Sequence, residues 1–65
     1  MTYGQACLLV DLFLRRPARR ERVCSFMEAF PLYDELWDAV DGQDFGDRME
    51  VVIESGSLWL VKKGA

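Results

Sequence analysis

A dense group of carboxylates lies between residues 28 and 54, a stretch that contains nine acidic residues and a single basic one, Arg48. Carboxylates in this number have two obvious uses. They can hold a cation, or they can imitate the phosphates of a nucleic acid towards a basic protein surface. The candidate partner-binding residues lie between positions 34 and 47: Asp34, Glu35, Asp38, Asp41, Asp44 and Asp47.

Cation binding is the weaker of the two interpretations. Asp41, Asp44 and Asp47, in the sequence DGQDFGD, superficially resemble a calcium loop. An EF-hand loop, however, places its ligands at alternate residues and ends with a Glu at its twelfth position, whereas these aspartates recur every three residues. The chain also has no His and only two Cys, so zinc sites and His-dependent catalysis have no residues to form them. We therefore expect no metal, no cofactor and no enzymatic activity.

The aspartate spacing favours a surface that imitates phosphates. On a helix, Asp34, Asp38 and Asp41 share one side, with neighbouring Cβ atoms about 5 to 6 Å apart. This distance is comparable with the separation of successive phosphates along a nucleic-acid strand. Like charges at i, i+4 destabilise a helix by about 0.2 to 0.5 kcal/mol, and no Lys or Arg between Asp34 and Asp47 offsets that cost. A merely solvated surface is the alternative, but such surfaces normally mix both signs of charge.

Residues 15–22 (RRPARRER), called the basic segment below, contain five arginines. Such a run can mark a nucleic-acid contact. The whole chain is nevertheless acidic, with a net charge of −3 and a pI near 4.7, and no aromatic residue interrupts the run. We expect these arginines to pair with the acidic half of the chain, and a second contact surface remains the alternative.

Five elements are predicted to position these charges. The apolar run Ala6–Leu14 fits a buried strand or a buried helix, and its short length and the alternation of Leu8, Val10, Leu12 and Leu14 favour a strand. Two helices follow: Pro17–Ala29, with Val23, Cys24, Phe26, Met27 and Phe30 as its apolar stripe, and Pro31–Gly42, closed by Gly42 as a left-handed cap. After a loop over Gly42–Asp47, Met49–Glu54 and Leu58–Lys63 form a hairpin around Ser55–Ser57.

The predicted order β-α-α-β-β describes an α+β domain, a three-stranded antiparallel sheet with two helices packed on one face. A chain of 65 residues accommodates only one such domain, over residues 1–65. The longest apolar run, Ala6–Leu14, is about half the roughly 20 residues that a membrane span needs, and no signal peptide is evident. We therefore expect a cytoplasmic protein with Cys7 and Cys24 as reduced, buried thiols.

Most aromatic residues are expected in the core of so small a domain. This expectation covers Trp37, Trp59, Phe26 and Phe30. Tyr3 and Phe45 are flanked by polar residues and Gly, so they are the aromatic positions most open to a partner.

The whole-chain plan and the acidic block Asp34–Asp47 resemble the very small acidic inhibitors carried by phages and mobile elements. The resemblance is to anti-CRISPR proteins directed against type I systems, the I-C subtype among them. It implies inhibition by occupying the surface where a surveillance complex reads the PAM duplex, with carboxylates in place of phosphates. The basic segment departs from a uniformly acidic DNA mimic, so only one side of the molecule is expected to imitate DNA.

The function expected from sequence is thus a non-enzymatic inhibitor with a DNA-mimicking acidic face. Its partner would be a basic nucleic-acid-binding protein, such as the large or PAM-reading subunit of a type I complex. The chain itself would act as a monomer and bind neither nucleic acid nor membrane. The alternative is a small interaction or regulatory adaptor, similar to an antitoxin, whose acidity only keeps it in solution.

Overall fold

Two helices and a three-stranded sheet make up the fold, in a computed structural model that describes residues 1–25 and 29–64. In chain order the elements are α1 (Tyr3–Arg15), β1 (Arg20–Ser25), α2 (Ala29–Gly42), β2 (Met49–Glu54) and β3 (Ser57–Lys62). The central strand is β3, and both β1 and β2 pair with it in antiparallel fashion. The predicted class, α+β with two helices and a three-stranded antiparallel sheet, is confirmed, but the order of the first two elements is not the predicted one.

The first element is a helix, so the strand predicted over Ala6–Leu14 is wrong. Thr2 and Gln5 form a capping box, in which each side chain accepts a hydrogen bond from the other residue's backbone N–H. Along the helix, Ala6, Val10 and Phe13 are fully buried at helical spacing, whereas Leu8 and Leu12 of the predicted strand alternation are exposed. The capping box and the i, i+4, i+7 burial decide in favour of a helix.

The second element is a strand, so the helix predicted over Pro17–Ala29 is wrong for the residues that the structure describes. Arg16 ends α1 in an extended conformation because it precedes Pro17, whose ring disfavours a helical residue before it. Residues 20–25 then pair with β3, with an irregularity between Arg22 and Cys24. Of the apolar stripe predicted for this helix, Phe26, Met27 and the side chain of Phe30 lie outside the described residues.

The second predicted helix is confirmed as α2, although its C-terminal cap differs from the expected one. Asp44, with φ 61°, takes the left-handed conformation expected for Gly42. The backbone N–H of Phe45 donates to the carbonyl of Val40 at 2.8 Å, and that of Asp44 donates to Asp41 at 3.1 Å. These two bonds define a Schellman motif, with Phe45 as the apolar residue that folds back onto the core.

The predicted hairpin is confirmed, with a turn of two residues. Ser55 and Gly56 have φ values of 52° and 73°, and positive φ at both central positions is the geometry of a type I′ turn. In register, Val51 pairs with Leu60 and Val52 pairs with Trp59. The turn therefore places the apolar residues of both arms on matching faces of the sheet.

The core lies between one face of the sheet and the two helices. Among residues 1–25 and 29–64, four strand residues and six helix residues are buried in it: Met49, Val51, Leu58 and Leu60 from the sheet, with Ala6, Val10, Phe13, Leu36, Ala39 and Val40 from the helices. The elements β1, α2 and β2 form a split β-α-β unit, because α2 connects two strands that are separated in the sheet by β3. Cys7 and Cys24 form no disulfide, as predicted, but they are half-buried at the margin of the core and not fully buried as expected.

The candidate acidic face

Three of the predicted site residues lie together on the outer side of α2. Asp34, Asp38 and Asp41 are all exposed, and they recur at the i, i+4, i+7 spacing of one helix side. The opposite side of the same helix carries the fully buried Leu36 and Val40. Packing of α2 against the core therefore directs these three carboxylates towards solvent.

The loop after α2 carries two further site residues, Asp44 and Asp47, both exposed. The Schellman motif holds the loop at its start. At its end, the backbone N–H groups of Arg48 and Met49 donate to the carbonyl of Phe45, and Lys63 Nζ donates to the carbonyl of Gly46 at 2.8 Å. Asp44 and Asp47 thus project from a backbone that hydrogen bonds already hold in place. Binding of a partner would therefore cost little additional backbone entropy. Together, five residues make up the acidic face: Asp34, Asp38, Asp41, Asp44 and Asp47.

Glu35 differs from the other five predicted residues. It is half-buried on the side of α2 that faces the beginning of the chain, where its Oε2 lies 3.6 Å from the N-terminal amine of Met1. Its charge is already partly compensated within the chain. Glu35 therefore links α2 to the N-terminus that precedes α1. The acidic face does not include it.

No cation within residues 1–25 and 29–64 forms an ion pair with any carboxylate of the acidic face. The helix dipole adds to the resulting cost, because Asp41 lies in the last turn of α2, which has no basic residue, and Asp38 lies directly before that turn. Negative charge at a helix C-terminus is unfavourable by about 0.3 to 1 kcal/mol. Repulsion between Asp34 and Asp38 acts in the same direction.

Tyr3 lies at the border of the acidic face, where α1 meets the end of α2. Its ring is 53% exposed, and its hydroxyl packs where a Cβ on Gly42 would otherwise lie. Interaction with the Cys7 side chain, partial desolvation and the negative charge of Asp38 together raise the pKa of Tyr3. The absence of a side chain at Gly42 thus places a neutral phenol beside the carboxylates.

Phe45, the other aromatic residue predicted to face a partner, is used differently. It is half-buried against the core, and the Arg48 guanidinium lies 5.3 Å from its ring centroid. Trp37 is also half-buried and packs edge-on against Tyr33, with ring centroids 6.4 Å apart. Of the two predicted positions, only Tyr3 presents a largely open ring.

The arginines of the basic segment are largely satisfied within the chain. Arg15 pairs with Asp11 at 3.2 Å, Arg16 pairs with Glu21 at 2.7 Å, and Arg20 pairs with Glu54 at 3.2 Å. The predicted pairing with the acidic half of the chain is therefore confirmed for Arg20, whereas Arg15 and Arg16 pair with carboxylates of the N-terminal half. The basic segment mostly neutralises its own neighbours and leaves the acidic face unpaired.

Other kinds of site find no support in the described part of the chain. It contains no group of three or more Cys, Asp or Glu side chains arranged to hold a metal ion, and no pocket. Neither α1 nor α2 is long and apolar enough to cross a membrane. No protein-family model, curated protein or solved structure matches the chain. The surface charges are accordingly the feature on which a functional proposal rests.

Proposed function

We propose that this protein is a non-enzymatic inhibitor that binds a basic nucleic-acid-binding protein through its acidic face. One observation carries the proposal: five exposed carboxylates lie on α2 and the ordered loop after it, and no cation of the described chain pairs with them. Charges that cost the fold stability and receive no internal compensation are best explained by an external basic partner.

The geometry suits a partner that normally holds a nucleic-acid backbone. Asp34, Asp38 and Asp41 span seven residues of helix, or roughly 10 Å, and Asp44 and Asp47 extend the array beyond the helix end. A groove of Lys and Arg built for phosphates would find carboxylates at similar intervals on a rigid support. The resemblance to anti-CRISPR proteins makes a type I surveillance complex the partner to test first, at its PAM-reading or large subunit.

The experiment compares charge reversals on the two sides of the molecule. Asp34→Lys combined with Asp38→Lys is tested beside Arg15→Glu combined with Arg19→Glu, each for affinity to a type I surveillance complex and for inhibition of that complex's DNA binding. We expect the aspartate reversals to weaken binding by about tenfold or more per charge and the arginine reversals to change it by less than about threefold. Wild-type binding should also weaken steeply as salt rises.

The opposite pattern would contradict the proposal. If the aspartate reversals keep full inhibition while the arginine reversals abolish it, the basic segment is the working surface. Circular dichroism of each variant checks that the fold is retained.

A protein-interaction adaptor, similar to an antitoxin, is the second candidate. It is favoured by Leu8 and Leu12, which are 59% and 37% exposed one turn apart on α1. An adaptor that binds through this apolar pair would lose its partner on Leu8→Ser and would be indifferent to the aspartate reversals and to salt.

A further inference from the structure

The sheet has a second face, which the helices do not cover and which the acidic face does not include. Antiparallel partners point to the same side of a sheet, so the register assigns nine residues to this open sheet face: Arg20, Arg22, Ser25, Glu50, Val52, Glu54, Ser57, Trp59 and Val61. Val52, Trp59 and Val61 are half-buried there, whereas Val51, Leu58 and Leu60 on the other face are buried. The open sheet face is thus partly apolar, and its apolar side chains are only half covered.

The charges on the open sheet face are arranged by strand. The edge strand β1 contributes two arginines, Arg20 and Arg22, and the opposite edge strand β2 contributes two glutamates, Glu50 and Glu54. Between them runs an apolar ridge formed mainly by Trp59 and Val61 of the central strand. One edge is therefore positive, the other is negative, and the middle is apolar.

This arrangement is complementary to itself. A two-fold axis parallel to β3, placed between two such faces, puts β1 of each copy over β2 of the other copy. Arg20, Val61 and Glu50 lie side by side across the three strands. The same axis therefore sets Arg20 of one copy opposite Glu50 of the other, while Val61 and Trp59 meet their own equivalents. Arg22 lies over Val52 of the other copy, so Arg20 and Glu50 are the directly opposed charges.

We propose that the open sheet face binds a second copy of this chain, face to face, to form a two-fold symmetric dimer. The monomer expected from the sequence is then the species at low concentration only. The acidic face lies on the helical side of each copy and stays accessible in this dimer. The proposal rests on the charge pattern of the sheet and does not depend on the inhibitor function.

The contacts that Arg20 and Glu50 make within one chain allow them to pair across the dimer. Arg20 lies across its own Trp59, with its guanidinium carbon 4.4 Å from the ring centroid, and pairs with Glu54 of the same chain. Glu50 has no ion pair within the described residues. In the dimer Arg20 turns from Trp59 to Glu50 of the second copy, which uncovers the indole for contact across the axis. The net gain is the apolar contact along the ridge.

Pairing through the sheet edges is the competing mode of self-association, and the charges oppose its symmetric forms. Two β1 edges would bring arginines together, and two β2 edges would bring glutamates together. Pairing of β1 with β2 of another copy leaves both outer edges free, so it would produce open chains of growing length. The symmetric face-to-face arrangement is closed at two copies.

The area of the open sheet face determines the affinity that we expect for the dimer. Three strands of six residues cover roughly 14 by 20 Å, which is small for a stable interface, so we expect a dissociation constant between about 10 µM and 1 mM. Sedimentation velocity of the full chain across this concentration range tests the proposal directly. The wild type should pass from monomer to dimer and no further, with weaker association at higher salt.

A charge-exchange series identifies the surface. Arg20→Glu alone and Glu50→Arg alone each create two repulsive contacts across the axis, and each should weaken self-association at least tenfold. An equimolar mixture of the two variants restores both attractive contacts, so it should associate again, as should the chain that carries both substitutions. Arg19→Glu, which makes the same change just before β1 and outside the open sheet face, is the matched control and should dimerise as the wild type does.

Several outcomes would overturn the proposal: a wild type that stays monomeric at 1 mM, larger open assemblies in place of dimers, single reversals that dimerise normally, or folded single variants that do not associate when mixed. Circular dichroism establishes folding beforehand. If a reversal does not fold, Arg20→Gln and Glu50→Gln replace it, and each should weaken the dimer about threefold.

Discussion

The acidic face and the basic segment are the two most charged regions of the molecule, and they differ in where their charges are compensated. Arg15, Arg16 and Arg20 of the basic segment each pair with a carboxylate of the same chain. The five carboxylates of the acidic face have no such pair within the described residues. Density of charge in the sequence therefore does not reveal function by itself. What distinguishes the two regions is whether the fold supplies the opposite charge.

The basic segment is also tied to the core, which the acidic face is not. The Lys62 ammonium donates to the carbonyl of Arg16 and lies 5.2 Å from the ring centroid of Phe13. A cation at this position complements the negative end of the α1 dipole. The end of β3 thus holds the beginning of the basic segment against a buried aromatic ring.

Removal of that ring gives the largest expected effect. Phe13 is fully buried, so Phe13→Ala should lower the free energy of unfolding by about 3 to 5 kcal/mol. Leu12→Ala, at the neighbouring but 37% exposed position, is the control and should cost less than about 1.5 kcal/mol. Urea denaturation of both variants measures the difference. Equal losses would contradict the burial of Phe13 in the core.

The next prediction concerns the packing of the Tyr3 hydroxyl against Gly42, beside the acidic face. Gly42→Ala places a Cβ against the Tyr3 hydroxyl and should destabilise the protein by about 1 to 3 kcal/mol, although Ala favours helix. In a Tyr3→Phe background the closest atom is gone, and the Cβ would lie 3.2 Å from the ring carbon that carried it. Most of the cost should then disappear. A double-mutant cycle by urea denaturation measures this coupling, and additive losses would argue against the contact.

Neutralising one charge in each region should change stability in opposite directions. Asp44→Gly removes a left-handed non-glycine residue and a carboxylate next to the α2 C-terminus, so it should stabilise the fold by about 0.5 to 1 kcal/mol. Arg16→Met removes the ion pair with Glu21 and should destabilise it by about 0.2 to 1 kcal/mol. Thermal unfolding at low and high salt measures both. Destabilisation by Asp44→Gly would show that the acidic face contributes to the fold after all.

The smallest effect is a dependence on alkaline pH through Tyr3. Its pKa is raised in the folded state by Cys7, by desolvation and by Asp38, so the fold favours the neutral phenol. This contribution is complete below the ordinary tyrosine pKa near 10 and is lost as pH rises through the higher folded value. Ultraviolet titration of phenolate absorbance in the wild type and in Tyr3→Phe resolves it. A Tyr3 that ionises at or below the ordinary value would contradict the placement of its hydroxyl.

Local patterns in the sequence were sufficient for the C-terminal half of the fold. The apolar stripe of α2 and the β-favouring arms of the hairpin are periodic over their whole length and are separated by clear turn residues. Exposure of Asp34, Asp38 and Asp41 followed from the same stripe, because the side of a helix opposite its buried residues faces water. The position of the left-handed residue was missed, since both Gly42 and Asp44 are compatible with a cap.

In the N-terminal half, only the tertiary structure decided the outcome. Ala6–Leu14 is apolar on every side, so it fits the periodicity of a strand and that of a helix equally well. The α1 helix is favoured by packing of Val10 and Phe13 against the core. The informative local signal was the Thr2–Gln5 capping box, which lies outside the apolar run. For residues 20–25, pairing with β3 outweighs the helical stripe suggested by the side chains.

The sequence by itself determined the α2 helix, the hairpin and the composition of the acidic face, because each depends on contacts within a short stretch of chain. Tertiary structure decided which charges are compensated and which surfaces remain open. Arg20 meets Glu54 across 34 positions, and Tyr3 meets Gly42 at the far end of α2. Such contacts depend on how the elements pack, and no local spacing records them.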